Sequence, residues 1–373
     1  VMIVTALLIF TGYDRVLQAK LLNVFPSYSN LINKFEGGAQ SQLDALKGGS
    51  SSAGFLPSSV DLSDYGPAPD FVGISKWLNT ENPLHIQDLK RKVVLVDFWT
   101  YTCINCIRTL PYVTSWYDKY HDQGLVVVGV HTPEFEFEKK TENVAASLPQ
   151  NKIHYPVAQD NDYKTWDAFS NRYWPAKYLI DAKGVIRYVH FGEGDYDKTE
   201  MAIKQLLEEA GSRVDSRLIQ VNGDTAARGL TPETYLGLSR LERFDSPEAP
   251  KNGLQTFSAK ENISKNHFAY EGAWVLADES ATASAGSSLS FKFNASKVFL
   301  VMSPGQSTSR IKLFLDGVEI GNEVSGVDVR SGVVTLDRQR LYNLVDLKGR
   351  VEEHTLKIMF LDGGISVFAF TFG

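Results

Sequence analysis

Two textures of apolar spacing divide the chain. Up to about residue 212, continuous apolar runs alternate with helically spaced segments; from about Asn222 onward, short runs alternate apolar and polar positions. The strongest run, 93–98 (VVLVDF), reads as a buried strand, and a helix opens just after it at Cys103. Residues 125–131 form a second buried strand, so strand, helix and strand predict a right-handed parallel crossover. A helix is expected over 137–148 and a short strand over 155–159. Residues 185–190 are the hairpin partner of the strand ending at Asp181, and 199–210 form a closing amphipathic helix. Farther on, Leu289/Phe291/Phe293, Ile311/Leu313/Leu315 and Leu356/Ile358/Phe360 mark strands with one buried face. Asp316-Gly317 and Asp362-Gly363-Gly364 are their hairpin turns. The expected fold is an α/β domain over 67–212, then an all-β sandwich, a jelly roll, over 222–373.

Residues 1–66 belong to neither texture. The first ten, VMIVTALLIF, are almost wholly apolar but reach only ~15 Å as a helix, about half a bilayer core. They lack the basic start and small-residue cleavage site of a signal peptide and read as the end of a transmembrane helix. Helical spacing over 11–47, broken at Pro26, leads into the Gly/Ser linker 48–54, which would hold the next domain off the membrane.

Composition narrows the function. A net charge of −6 with no basic run argues against nucleic acid. The 373 residues contain two cysteines, Cys103 and Cys106, both in one Cys-x-x-Cys motif. No second cysteine pair and no His-x3-5-His spacing exists to complete a zinc site, so no metal is expected. A disulfide closing so small a loop would add little as a structural staple. Two thiols one turn apart at a helix N-terminus, where unpaired N–H groups and the helix dipole favour an anion, point instead to dithiol/disulfide exchange. Cys103 is the expected attacking thiolate and Cys106 the resolving thiol, with no cofactor beyond their own disulfide.

The stretch VDFWTYTCINC, with Pro111 five residues beyond the second cysteine, resembles the thioredoxin superfamily. Gly66-Pro67-Ala68-Pro69-Asp70-Phe71 resembles the entry to TlpA-like domains, and 161–171 the extra helix those proteins carry. Taken with the β-rich second half, the chain resembles the soluble part of DipZ-type thiol:disulfide interchange proteins, relatives of the TlpA-like cytochrome c biogenesis reductases. The resemblance implies an upstream membrane electron-transfer domain, catalytic domains on the extracytoplasmic side of the cell membrane, and oxidised proteins as substrates.

It also implies roles for particular residues. Asp97 matches the buried acid that takes the proton of the resolving thiol, and Glu134 is the alternative or additional acceptor. Trp99 matches the tryptophan beside the motif and is expected to help dock substrate with Trp174 and Pro175, while Thr102 replaces the one usual before the first cysteine. Pro175, in Tyr173-Trp174-Pro175, matches the cis proline whose preceding residue, here Trp174, pairs with an extended substrate. The β half of DipZ-type proteins resembles a carbohydrate-binding module. Trp274 and Tyr270, with Phe268 and Tyr342, are therefore candidates to stack on a sugar, against a neutral reading as core. Three functions fit the sequence: a reductase passing electrons to oxidised thiols, an oxidase or isomerase using the same site, and a cell-surface glycan-binding protein with an accessory redox domain. Ile104-Asn105, lacking the histidine of strongly oxidising relatives, leans toward the reductase.

Overall fold

A computed structural model describes residues 60–221 and 230–373. The expected apolar segment, the helical spacing of 11–47 and the Gly/Ser linker lie outside the described residues. Among the described residues no helix is long and apolar enough to cross a membrane.

The first half builds one six-stranded sheet. Its strands are β1 (Lys76–Leu78), β2 (Val93–Trp99), β3 (Leu125–His131), β4 (Val157–Gln159), β5 (Ala176–Ile180) and β6 (Ile186–Phe191), in the spatial order β1-β4-β3-β2-β5-β6. β2 and β3 are parallel, as the crossover through helix α1 (Ile104–Tyr120) requires, and β5 runs antiparallel to β2. Every residue of β2 is buried, because helices cover both faces of the sheet centre. α1 carries Pro111 within it. The expected helix over 137–148 is two pieces, a 3₁₀ turn over Glu136–Lys139 and α2 (Thr141–Gln150). The expected helix over 161–171 shrinks to α3 (Lys164–Ala168), and α4 (Tyr196–Glu209) closes the sheet.

The second half is a β-sandwich with a single apolar core. Strands β7 (Thr234–Tyr235), β8 (Gly253–Phe257), β10 (Ala281–Ala283), β12 (Lys297–Ser303), β17 (Arg340–Asp346) and β19 (Ile365–Phe372) form one layer. Strands β11 (Ser288–Ala295), β13 (Ser309–Leu315), β14 (Val318–Glu319), β15 (Val329–Arg330), β16 (Val333–Leu336) and β18 (Glu352–Phe360) form the other. β9 (Phe268–Leu276) joins the layers, pairing with β11 at its start and with β8 and β10 farther on. Asp316-Gly317 is the expected hairpin turn, with Leu315 opposite Val318 and both turn residues at positive φ. Asp362-Gly363-Gly364 is not a hairpin: β18 and β19 lie in different layers, and the turn carries the chain across the sandwich.

The four aromatics proposed to meet a sugar are core residues. Phe268, Tyr270, Trp274 and Tyr342 are each 0% exposed. Alternation along β9 turns Phe268, Tyr270, Trp274 and Leu276 to the same inner face. Tyr270 and Trp274 pack together at 4.4 Å with their rings tilted by 32°, and their polar ends donate to the carbonyls of Leu236 and Glu271. A buried ring has no free face for a glycan, so neither Trp274 nor Tyr270 can serve as that platform.

The two halves share apolar contacts. Val301, Phe368 and Ala369 of the sandwich belong to the same buried cluster as Cys106, Leu110, Phe135 and Phe137. Phe368 packs on Phe135 at 5.2 Å and on Phe137 at 4.8 Å. Phe368→Leu should therefore lower stability by about 1–2 kcal/mol in urea unfolding. A change within about 0.3 kcal/mol would mean that the contact is not maintained in solution.

Candidate active site

β2 ends at Trp99, and residues 100–102 lead directly into the first turn of α1. Cys103 is the N-cap of that helix, in extended conformation, and its Sγ accepts a hydrogen bond from the Cys106 amide at 3.2 Å. A sulfur anion placed there meets a backbone donor and the positive end of the helix dipole. The two cysteines are unbonded; Cys103 is partly exposed, whereas Cys106 is buried. Burial, then the Cys103 sulfur beside it and the charge of Asp97, push the Cys106 thiol well above its ordinary range. One thiol can reach a partner, and the other needs help to lose its proton.

Asp97 lies beneath the motif on β2, fully buried, and neither carboxylate oxygen has a hydrogen-bond partner among the described residues. Burial raises its pKa to about 6, partly offset by the positive charge of Lys177. Lys177 on β5 sits directly opposite Asp97 in the antiparallel register and is also fully buried. Burial lowers its pKa, while Asp97, Cys106, Glu193 and Cys103 work in the opposite direction. Its ammonium nitrogen has no hydrogen-bond partner among the described residues. An acid and a base, neither with a hydrogen-bond partner among the described residues, are thus held together within electrostatic reach of the dithiol. Spacing and motif do not single out Lys177, although a lone lysine inside the apolar run AKYLI is a visible signal.

Pro175 lies one residue beyond the last β2–β5 pair, Phe98 with Ala176, at the sheet end from which the motif departs. The Trp174-Pro175 peptide is cis. Trp174 is half-buried, packs on Trp166 at 4.3 Å and donates from its ring nitrogen to the Thr132 carbonyl at 3.2 Å. Trp99 is 0% exposed, so it cannot touch a substrate as proposed. It forms the floor of the site instead, meeting His131 edge-on at 5.2 Å. Gly129, opposite Asp97 on β3, makes room for it: a β-carbon there would come within 3.0 Å of the indole nitrogen.

The structure does not bring Glu134 to the thiols as a free proton acceptor. Its carboxylate turns toward the sandwich, accepting from the Tyr235 hydroxyl at 2.7 Å and pairing with Arg240 at 2.9 Å. The glutamate beside the motif is Glu138, in the 3₁₀ turn that follows. It is fully buried, and its Oε1 accepts from the Thr102 hydroxyl at 2.5 Å. Burial raises its pKa to about 7, against the hydrogen bond from Thr102. Nearby His131 is buried, pulled down to about 3 by desolvation, and hydrogen-bonds Thr100 at 3.2 Å.

Residues 66–189 match the AhpC/TSA family, and residues 231–373 match the thioredoxin-like C-terminal domain family. Thiol-disulfide oxidoreductase YkuV of Bacillus subtilis is 33% identical over 38% of this chain and 95% of its own length. The chain belongs to the thioredoxin-like thiol–disulfide oxidoreductases. Over most of its length it is similar to DipZ: protein DipZ of Mycobacterium tuberculosis is 38% identical over 84% of this chain. The chain spans less than half of the DipZ length, 44%. Among solved structures, a thioredoxin-like protein in the oxidised form is 32% identical over 38% of this chain and 95% of its own, with a TM-score of 0.36.

Proposed function

We propose that this oxidoreductase reduces disulfides in protein clients, with Cys103 as nucleophile, Cys106 as resolving thiol and Asp97 as proton acceptor. In the first step the Cys103 thiolate attacks a client disulfide. One client sulfur leaves as a thiolate and takes up a proton, and the other is held in a mixed disulfide with Cys103. In the second, Cys106 gives its proton to Asp97 and attacks the Cys103 sulfur. The second client thiol is released, and the electron pair lost by the two cysteines now resides in the reduced client. The dithiol is itself the redox group, so no cofactor is needed. In the whole protein the domain works tethered at the cell membrane, on its extracytoplasmic side, and an upstream membrane domain returns electrons to the Cys103–Cys106 disulfide.

The observation that carries this reading is the asymmetry of the pair: an accessible sulfur on a helix N-cap and a buried one above Asp97 and Lys177. Insulin-disulfide reduction with dithiothreitol as electron source tests it. The native chain should precipitate insulin B chains, and Cys103→Ser should do so no faster than dithiothreitol alone. Undiminished activity in Cys103→Ser contradicts the assignment. The direction follows from the reduction potential: near about −270 mV supports a reductase, and about −180 mV or above supports an oxidase or isomerase.

A further inference from the structure

The segment 100–102 between β2 and Cys103 bears on both thiols. The Thr100 backbone works to lower the Cys106 thiol, the Cys103 amide returns to the Thr100 carbonyl at 3.4 Å, and Thr102 immediately precedes the nucleophile. What fixes this segment is Glu138. One of its oxygens takes the Thr102 hydroxyl at 2.5 Å. The other takes the amides of Glu134 at 2.5 Å and Phe135 at 3.1 Å. A carboxylate is buried at this position at a desolvation cost, and every one of these donors helps to offset it.

The turn that carries Glu138 is in turn fastened to the sandwich. The Glu134 carboxylate accepts from Tyr235 and pairs with Arg240, whose guanidinium lies 3.5 Å over the Tyr235 ring. Phe135 and Phe137 pack on Phe368. An unbroken set of contacts therefore runs from the residue before Cys103, through Glu138 and the 134–138 turn, to Tyr235 and Arg240 in the second domain.

We infer that Glu138 is a positioning residue for the redox motif, and that the β-sandwich is part of the redox site because its Tyr235–Arg240 clasp on Glu134 sets where Glu138 stands. The inference rests on the thiol–disulfide reading of Cys103 and Cys106, but it is read from sulfur reactivity and equilibrium, not from turnover. Loss of insulin reduction would count against that reading and leave this one to its own measurements.

Iodoacetamide alkylation of reduced Cys103 at pH 7 and the equilibrium with glutathione are measured on the full chain. Near-ultraviolet circular dichroism checks that each variant is folded. Glu138→Ala should slow alkylation about fivefold, the scale of a lost helix-cap hydrogen bond, and shift the glutathione equilibrium by a similar factor. Glu138→Gln keeps the acceptor for the two amides and a donor for the Thr102 oxygen, and should recover most of that loss. Combined Tyr235→Phe and Arg240→Ala, on the far side of the clasp, should slow alkylation about two- to threefold; added to Glu138→Ala they should change nothing further. Native values in Glu138→Ala overturn the positioning role. A Gln variant as impaired as the Ala variant replaces positioning by charge and also overturns it. Native values in the Tyr235/Arg240 variant remove the sandwich from the site, and this variant decides the matter even where Glu138→Ala fails to fold.

Discussion

Cys106→Ser is expected to convert the protein into a trap for its clients. With the resolving sulfur gone, Cys103 still attacks, because its exposure and the backbone donor at its Sγ do not depend on the Cys106 side chain. The mixed disulfide then has no internal thiol to break it. Adducts should build up on non-reducing gels within minutes, disappear with dithiothreitol, and map to Cys103 by mass. Cys103→Ser should give none, since the remaining thiol is buried and its proton is held tightly. Turnover in either variant should fall by at least about a thousandfold, the usual scale for losing a covalent catalyst's nucleophile or its partner. Adducts on Cys106 in the Cys103→Ser protein would reverse the assigned roles.

The second large effect belongs to Asp97. General-base assistance contributes about 10²–10⁴ in rate, so Asp97→Asn should slow release of a client from the preformed mixed disulfide about a hundredfold at pH 7. In the native protein that rate should rise with pH through about 6, where Asp97 ionises, and the break should be absent in the variant. Stability should move the other way. A buried acid whose folded pKa is raised favours the fold fully below its unfolded value of 3.8, and that contribution is lost as pH rises through about 6. A tenfold change in proton affinity is worth about 1.4 kcal/mol, so ionised Asp97 costs the fold up to about 3 kcal/mol at neutral pH. Asp97→Asn should therefore be more stable than the native protein by about 1–3 kcal/mol at pH 7.5, the smaller figure reflecting a Lys177 left without its counter-charge. The gap should close below pH 4. Stopped-flow resolution rates and urea unfolding across pH 4–8 measure both halves. A variant both slower and less stable at pH 7.5 would mean that Asp97 is a structural group.

The elements that placed the dithiol were legible because each had a strong local cause. The run 93–98 is apolar almost without a break, as a strand covered on both faces must be. The β half alternates with a period that only one-sided strands produce. What escaped was set by contacts between segments distant in sequence. Residue type alone does not say whether Trp274 and Tyr270 face solvent or core, so they could be read as a sugar platform until β8, β10 and β11 enclosed them. Glu134, Glu136 and Glu138 stand in a run, EFEFEK, that looks uniformly solvated. The 3₁₀ turn over Glu136–Lys139 sends Glu138 inward to Thr102 and leaves Glu136 exposed, while the sandwich captures Glu134. A turn of that kind has no spacing signature. Lys177 was readable in principle, since a lysine in a central strand must be paired or useful, but its partner across the strands is known only from the register.

The central claim is that Cys103 and Cys106 exchange one electron pair as a unit, and a redox titration tests it most directly. The protein is equilibrated with a graded series of reduced and oxidised glutathione, quenched in acid, alkylated and weighed. The account predicts that both thiols vanish together along a single two-electron curve, and that the oxidised product is an internal Cys103–Cys106 disulfide carrying no glutathione. A product with glutathione on Cys103 and Cys106 still free, or two thiols that stay reduced across the whole series, would contradict it.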